Sequence, residues 1–208
     1  GDFETDGPVF IRMEPVGCTN TILTKLYIEN NQEIPKNIAG LMLSAIISDT
    51  VLFRSPTCTE TDKEMAHKLA AIAGVDIESY GLEMLKAGAD ISDLTNDEIV
   101  RTDMKEFSEA GQTISIGQIS VMDTTDVLAK QAELVAALEA LRTANGYAAS
   151  YIMVTNILDE STTLIYSGDV ESVVVNAFGK DVKDNAVFLP NTMSRKKQIV
   201  PPILGAMK

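Results

Sequence analysis

The first part of the chain carries the hydrophobic spacing of amphipathic helices. Apolar positions predict a helix from Thr19 to about Asn30 and another after Thr59, which ends at Gly74. Between them, residues 35–47 are apolar on nearly all sides, so this helix is expected to be buried. A fourth helix is predicted over 77–86, closing at Gly88. This part should therefore be rich in helix, with little strand beyond an extended segment at 8–13.

The later part opens with a T-x-x-E capping box from Thr95 to Glu98 and then changes to strand alternation. A long helix is predicted over 125–143, ending at Asn145-Gly146, and a further helix over about 170–178. The expected strands are 113–121, 151–158, 163–167, 186–189 and 197–200, of which the second and third should form a hairpin. We therefore expect a mixed sheet of four or five strands.

A segment of small and acidic residues at 87–94 separates these two patterns, and we interpret it as a hinge linker. The predicted organisation is a helix-rich domain remnant over 1–86 and an α/β domain over 95–208. Helices such as 38–47 would then lack a sheet to cover, so 1–86 should be poorly stable alone and 95–208 should fold independently.

Composition narrows the class of protein. The 208 residues carry a formal net charge of −13, with 45% hydrophobic and 23% charged residues. These fractions are typical of a protein with a hydrophobic core. The negative net charge argues against binding to nucleic acid or to an anionic membrane surface. No apolar run reaches the length of a membrane span, and the acidic opening predicts no signal peptide. Cys18 and Cys58 are best interpreted as free thiols, which favours a cytoplasmic location.

Asp49 is the first candidate for chemistry. It directly follows the apolar helix, in Ser44–Thr50, where water access is partial. A carboxylate in that position either caps the next element or binds a metal or substrate. Both interpretations are open on pattern alone.

Ser194–Gln198 contains the only run of three cations in this acidic chain. Arg195 and Lys196 could bind an anion, because arginine offers a planar fork and lysine a point charge. The alternative is a solvated charge run that protects a sheet edge.

Lys105, after the capped helix, is either an ordinary surface lysine or a further anion ligand. The single histidine, His67, excludes a His-rich zinc site and is expected at the surface.

Three segments then resemble family II, manganese-dependent inorganic pyrophosphatases of the DHH phosphoesterase superfamily. They are EPVGCT at Glu14–Thr19, AGLMLSAIISDT at Ala39–Thr50 and SRKKQ at Ser194–Gln198. The likeness runs along essentially the whole chain, and it includes Phe53–Cys58 and Met84–Asp90. The joint match in this order and spacing is specific, whereas SRKK alone is not.

The resemblance implies an α/β fold, in which a DHH-type parallel-sheet domain is followed by a smaller domain with a mixed sheet. It also implies hydrolysis of pyrophosphate to two phosphates by a metal-activated water, in a cleft between the two domains. Asp49 would be a catalytic metal ligand, and Lys105, Arg195 and Lys196 would bind the phosphates. The implied metal is Mn²⁺, with Mg²⁺ or Co²⁺ as alternatives. A homodimer is left open, because the sequence is silent on oligomeric state.

The chain departs from the family in one respect. The family's remaining metal ligands lie in a His-and-Asp motif, a further aspartate and an Asp-His-His motif, and none of these occurs here. We therefore expect the chain to be the C-terminal portion of such an enzyme, with the N-terminal half as its partner. The alternative is that the isolated polypeptide is a non-catalytic module that binds phosphate or pyrophosphate.

Overall fold

The computed structural model describes residues 5–208 and divides the chain into two compact units, Gly1–Glu83 and Met84–Lys208. The division falls inside a helix, Ile77–Gly88, which begins in the first unit and ends in the second. The hinge predicted at 87–94 stays a prediction.

The described part of the first unit contains helices and no strand. These helices are α1 (Thr19–Glu29), α2 (Lys36–Thr50), α3 (Glu60–Ala73) and α4 (Ile77–Gly88). The predicted stop at Gly74 is confirmed, and Thr59 caps α3 in a capping box with Asp62. Residues 8–13 form no strand, and Phe10 and Met13 are 78% and 86% exposed.

The core of the first unit lies where α2 packs against α1 and α3. Leu43, Ile46 and Ile47 of α2 and Leu69 of α3 are fully buried there. Burial on all sides of α2 was the wrong expectation, because Leu41 on the same helix is 68% exposed. The face of α2 that carries Leu41 is apolar, as predicted, but no described residue covers it.

The second unit is built on a mixed five-stranded sheet, as the sequence predicted. Its strands are β1 (Lys105–Glu109), β2 (Gln112–Val121), β3 (Ala149–Asn156), β4 (Ser161–Ser167) and β5 (Ala186–Leu189). They lie in the order 1-2-3-4-5, and only the β2–β3 pair is parallel. The parallel pair needs a crossover, which the helices between β2 and β3 supply.

Helices cover both faces of this sheet. They are α5 (Asn96–Arg101), α6 (Thr125–Leu128), α7 (Gln131–Asn145), α8 (Glu171–Phe178) and α9 (Val200–Ala206). One core contains Ile152, Val154 and Leu138, and the other contains Tyr151, Met153 and Ile203. Every residue of β3 is buried, because its alternate side chains enter different cores.

Two predicted elements need correction, and one strand was missed. The single helix over 125–143 is two helices, α6 and α7, separated at Ala129 and Lys130. The strand predicted at 197–200 does not exist. Its place is taken by a π-helix, Arg195–Ile199, which continues into α9. Ser194 caps this helix, and its hydroxyl accepts a hydrogen bond from Lys197 N. Pro201 and Pro202, which follow the predicted strand, occupy the first turn of α9, where no N–H donor is needed. Strand β1 was not predicted.

No helix within residues 5–208 is long and apolar enough to cross a membrane. The longest of them, α2 and α7, have 15 residues each.

Candidate functional site

The loop between β5 and the π-helix is fixed by side chains from both sides. Gln198 accepts hydrogen bonds from the backbone N–H groups of Met193 and Ser194, each at 2.9 Å, and donates to the carbonyl of Asn191 at 2.7 Å. From the sheet, Gln118 donates to the carbonyl of Met193 at 3.0 Å. These bonds hold the chain in place directly before Arg195.

Thr162 of β4 completes this support. Its hydroxyl donates to the carbonyl of Thr192 at 2.6 Å and lies 3.0 Å from the hydroxyl of Thr155 on β3. Thr155 in turn accepts a hydrogen bond from Gln118 at 3.3 Å. A row of polar side chains across three strands therefore anchors the loop to the sheet.

Arg195 is the buried member of the cation run, with 8% of its side chain exposed. Its Nη1 donates to the carbonyl oxygens of Asp103 and Ile116, the latter at 3.0 Å, and its Nη2 donates to Oδ2 of Asp103 at 2.9 Å. A buried cation is stable only when it is paired and hydrogen-bonded, and these contacts satisfy that requirement. The interpretation of this residue as a solvated, edge-protecting charge is therefore wrong.

Lys105 is the first residue of β1 and lies opposite Ile116 of β2. Because Ile116 also receives the hydrogen bond from Arg195, the structure brings the backbone of Lys105 and the side chain of Arg195 to one position on the sheet. Lys196 follows Arg195 and is exposed, as is Lys105. Neither lysine forms an ion pair with any residue in 5–208. Two unpaired cations therefore accompany one that is buried and paired.

Gly117 lets the segment before β1 approach the sheet closely. A Cβ atom at this position would lie 2.7 Å from the carbonyl oxygen of Val100 and 3.3 Å from that of Thr102. The backbone N–H of Gln118 donates to the same Thr102 oxygen at 3.0 Å. The segment that leads to Asp103 and Lys105 is thus packed directly onto the backbone of β2.

Asp49 lies in the first unit, in the last turn of α2, and is exposed. The sequence placed it just after the helix, but the helix continues to Thr50. No backbone N–H of the described chain donates a hydrogen bond to the carboxylate of Asp49, so this residue does not cap the next element. Its neighbour is the buried thiol of Cys18. Burial raises the pKa of Cys18 to about 11 and the hydrogen bond to Asp49 adds to this effect, so the thiol is protonated at neutral pH.

The chain leaves Asp49 through a left-handed turn. Val51, Leu52 and Phe53 have φ angles of 50°, 50° and 67°. For residues other than glycine this conformation costs about 1–2 kcal/mol each. The turn is held by hydrogen bonds from Leu52 N to the Ile47 carbonyl at 2.8 Å and from Phe53 N to the Thr50 hydroxyl at 3.2 Å. Strain of this kind persists only where the surroundings fix it.

Asp62 is a buried carboxylate with a structural role that the sequence analysis did not identify. It is fully buried, and its carboxylate accepts hydrogen bonds from the backbone N–H groups of Gly17, Cys18 and Thr59 and from the hydroxyls of Thr21 and Thr59. Burial alone would raise its pKa, but these hydrogen bonds outweigh burial and hold the pKa below its ordinary value. The T-x-x-D pattern from Thr59 to Asp62 was the available signal.

The effect of Asp62 is to tie the start of α1 to the start of α3. A Cβ on Gly17 would lie 3.1 Å from Cγ2 of Thr50, so the bound turn also packs against the end of α2. Cys18 is thereby held beside Asp49.

The described residues do not form a metal site by themselves. No group of three or more histidine, cysteine, aspartate or glutamate side chains in residues 5–208 is arranged to hold a metal ion. His67 is exposed and stacks on Phe53 at a centroid distance of 6.2 Å, as expected for a surface residue. Within residues 5–208, Asp49 therefore lacks the further ligands that a bound divalent metal requires.

Most of the second unit matches a known domain family. Residues 82–206, which include the sheet, Lys105 and the π-helix, match the DHHA2 domain. The chain is also 50% identical over 207 residues to a probable manganese-dependent inorganic pyrophosphatase of Bacillus licheniformis, and 50% identical over 200 residues to one of Brevibacillus brevis.

A solved structure agrees. A Methanococcus jannaschii protein provisionally assigned to the family II inorganic pyrophosphatases has a TM-score of 0.85 and 40% identity over 98% of this chain. The chain belongs to the manganese-dependent, or family II, inorganic pyrophosphatase family. It spans 67% and 64% of the length of the two bacterial relatives and 69% of the M. jannaschii protein.

Proposed function

We propose that this chain is the pyrophosphate-binding part of a metal-dependent inorganic pyrophosphatase. Lys105, Arg195 and Lys196 bind the phosphates of the substrate, and Asp49 contributes one ligand to the metal. The observation that carries the proposal is the meeting of Arg195 and Lys105 at Ile116. It occurs in a chain with 50% identity to relatives named manganese-dependent inorganic pyrophosphatases.

The chemistry of the substrate fits these residues. Pyrophosphate is a small polyanion, and its hydrolysis breaks the bond between one phosphorus and the bridging oxygen as water attacks that phosphorus. Fixed cations lower the barrier by stabilising the negative charge of the phosphoryl oxygens. Arg195 is fixed by its contacts with Asp103 and Ile116, and the exposed lysines supply charge that no described carboxylate neutralises.

Manganese is proposed as the cofactor because the relatives are named for it, with Mg²⁺ or Co²⁺ as alternatives. The carboxylate of Asp49 is an oxygen ligand of the kind these ions accept. Since residues 5–208 offer no three-ligand group, we propose that the other ligands belong to the third of the relatives' length that has no counterpart here. That segment would be the partner of this chain in the complete enzyme.

A second candidate function is binding without catalysis. In this case the 208-residue chain binds phosphate or pyrophosphate through the same three cations and does not turn it over. The lack of a three-ligand group among the described residues favours this candidate for the isolated polypeptide.

Phosphate release distinguishes the two candidates. The 208-residue chain is incubated with pyrophosphate and Mn²⁺, then Mg²⁺, beside an Arg195→Ala variant, and pyrophosphate binding is measured in parallel by calorimetry. Turnover that the variant loses would support catalysis by this chain. Binding without turnover, lost in the variant, would support the binding module. Equal binding by chain and variant, or none by either, would sink the anion site.

A further inference from the structure

Asp103 accepts hydrogen bonds from one edge of the Arg195 guanidinium and leaves the other edge without a partner among the described residues. A guanidinium has five N–H donors in one plane. The carbonyl and the carboxylate of Asp103 accept from Nη1 and Nη2, and the carbonyl of Ile116 accepts from Nη1 a second time. The end of the guanidinium is therefore filled, and two donors are left.

The remaining donors are the Nε–H and one Nη2–H, which lie side by side along the other edge. Nε makes no hydrogen bond with any residue in 5–208. Nε is also not fully buried. Among the described residues, the hydroxyl of Tyr151 is the one fully buried polar side-chain atom that has no hydrogen-bond partner. Arginine thus presents a parallel pair of donors that matches two oxygens of a phosphate.

Asp103 itself is held in an unusual way for an exposed residue. Its φ angle is 41°, in the left-handed region that residues other than glycine rarely occupy, and 57% of its side chain is exposed. The flanking backbone is tied down by Met104 N to the Arg101 carbonyl at 3.2 Å and by Gln118 N to the Thr102 carbonyl. Because the side chain of Asp103 is largely exposed, its contact with Arg195 is not a consequence of burial.

Building on the proposed function, we propose that Asp103 is a positioning residue that selects the edge of Arg195 used for the substrate. By filling the Nη1/Nη2 end, it directs the Nε/Nη2 edge to a phosphate group of pyrophosphate. Its negative charge also offsets that of Arg195, so Lys105 and Lys196 supply the net positive charge of the site.

The direct test is an NMR titration of the arginine side chains in the full 208-residue chain. The chain has five arginines, so its Nε–H signals are few, and Arg195→Lys identifies the one from Arg195 by its loss. Sodium pyrophosphate should shift the Arg195 Nε–H signal and leave the other four in place. If calorimetry shows pyrophosphate binding while this signal stays still, the proposal is overturned.

Two variants separate positioning from charge. Asp103→Ala should weaken pyrophosphate binding about tenfold and reduce the shift of the Arg195 signal, because the guanidinium loses its side-chain anchor. Asp103→Asn keeps an oxygen acceptor for Nη2 and should bind within about threefold of the unmodified chain, or more tightly. If both variants bind more tightly, Asp103 is only a competing charge and positioning is excluded. The titration of the unmodified chain decides the proposal even if Asp103→Ala does not fold.

The matched control is Asp97→Ala, which removes an exposed aspartate bound to Nε of Arg101 at 2.9 Å. It should move the Arg101 signal only and leave binding unchanged. Binding lost in Arg195→Ala but unchanged in Asp103→Ala would overturn this inference and leave the proposed function standing. Pyrophosphate binding that Arg195→Ala does not alter would instead overturn the proposed function.

Discussion

Lys105 and Arg195 meet at one backbone position, Ile116, which pairs with the lysine across the sheet and accepts a hydrogen bond from the arginine at 3.0 Å. Strand pairing therefore fixes the backbone of Lys105 relative to the guanidinium of Arg195. A polar side chain on a rigid element keeps its geometry better than one on a loop.

The exposed lysines should matter for binding and not for folding. Lys105→Ala and Lys196→Ala should each weaken pyrophosphate binding about tenfold or more, and added salt should weaken the remaining affinity less steeply than in the unmodified chain. Thermal melting should be unchanged, because neither lysine has an ion-pair partner among the described residues. Calorimetry at two salt concentrations checks this. Lys180→Ala, an exposed lysine of the same unit, is the control, and equal binding by all four proteins would contradict the prediction.

Gln198 should act on the same site through the backbone. Gln198→Ala removes three hydrogen bonds to Asn191, Met193 and Ser194, so the segment before Arg195 should loosen. We expect pyrophosphate affinity to fall about tenfold, which corresponds to about 1.4 kcal/mol. Gln131→Ala removes one exposed hydrogen bond to the carbonyl of Asp184 and should leave affinity unchanged. A Gln198 variant with full affinity would show that the loop keeps its shape without this side chain.

Gly117→Ala should destabilise the second unit. The new methyl group would lie 2.7 Å from the Val100 carbonyl oxygen, and backbone cannot move aside as a flexible side chain can. We expect a loss of about 1–3 kcal/mol in the free energy of unfolding, measured in urea. Gly205→Ala in α9 meets no atom within 4 Å and should be neutral or slightly stabilising. Equal midpoints for the two variants would argue against the close approach.

Asp62 should make stability depend on pH in the acid range. Its pKa in the folded chain lies below the ordinary value of 3.8, which the unfolded chain retains. The carboxylate therefore stabilises the fold fully above about pH 4, and this contribution is lost as pH falls through the lower, folded pKa. Asp62→Asn should cost roughly 2–4 kcal/mol at pH 7 and flatten the acid limb of the melting curve.

Thermal melts from pH 7 down to pH 2.5 check this prediction. Asp76→Asn is the control, since this exposed aspartate also has a lowered pKa, from hydrogen bonds with Ser79, but lies at the surface. Its loss should be smaller. If Asp62→Asn kept the same pH dependence as the unmodified chain, another group would be responsible.

The two sequence-predicted parts should differ as isolated fragments. Residues 1–86 should unfold without a cooperative transition, because Phe10, Met13 and Leu41 leave large apolar surfaces exposed. Residues 95–208 should unfold cooperatively, because both faces of their sheet are covered. Calorimetric melting of the two fragments tests this, and a sharp transition for 1–86 would contradict it.

Elements whose ends depend on local contacts were predicted well from sequence. The helix start after Thr59, the capping box at Thr95 and the glycine stops at Gly74 and Gly146 involve residues only a few positions apart. The extent of β2 was also predicted, but its apolar residues do not share one face, because Ile114 and Ile116 enter one core and Ile119 and Val121 enter the other.

The failures have a common cause, which is dependence on distant residues. Lys197 to Val200 has the composition of a short strand, but the preceding loop is fixed by Gln118 and Thr162, and the chain coils instead of extending. The burial and pairing of Arg195 could not be predicted, because Asp103, its partner, is 92 residues away in sequence. No local pattern shows that a charge will be paired and buried.

That separation has a consequence for folding. The contact between Asp103 and Arg195 encloses β1 to β5, and closing so long a loop is entropically costly until the strands within it have paired. The hairpins β1–β2 and β3–β4 are local and should form early, whereas the arginine can dock only on a finished sheet. Anion affinity would then report completion of the domain, appearing after the far-ultraviolet circular dichroism signal during refolding.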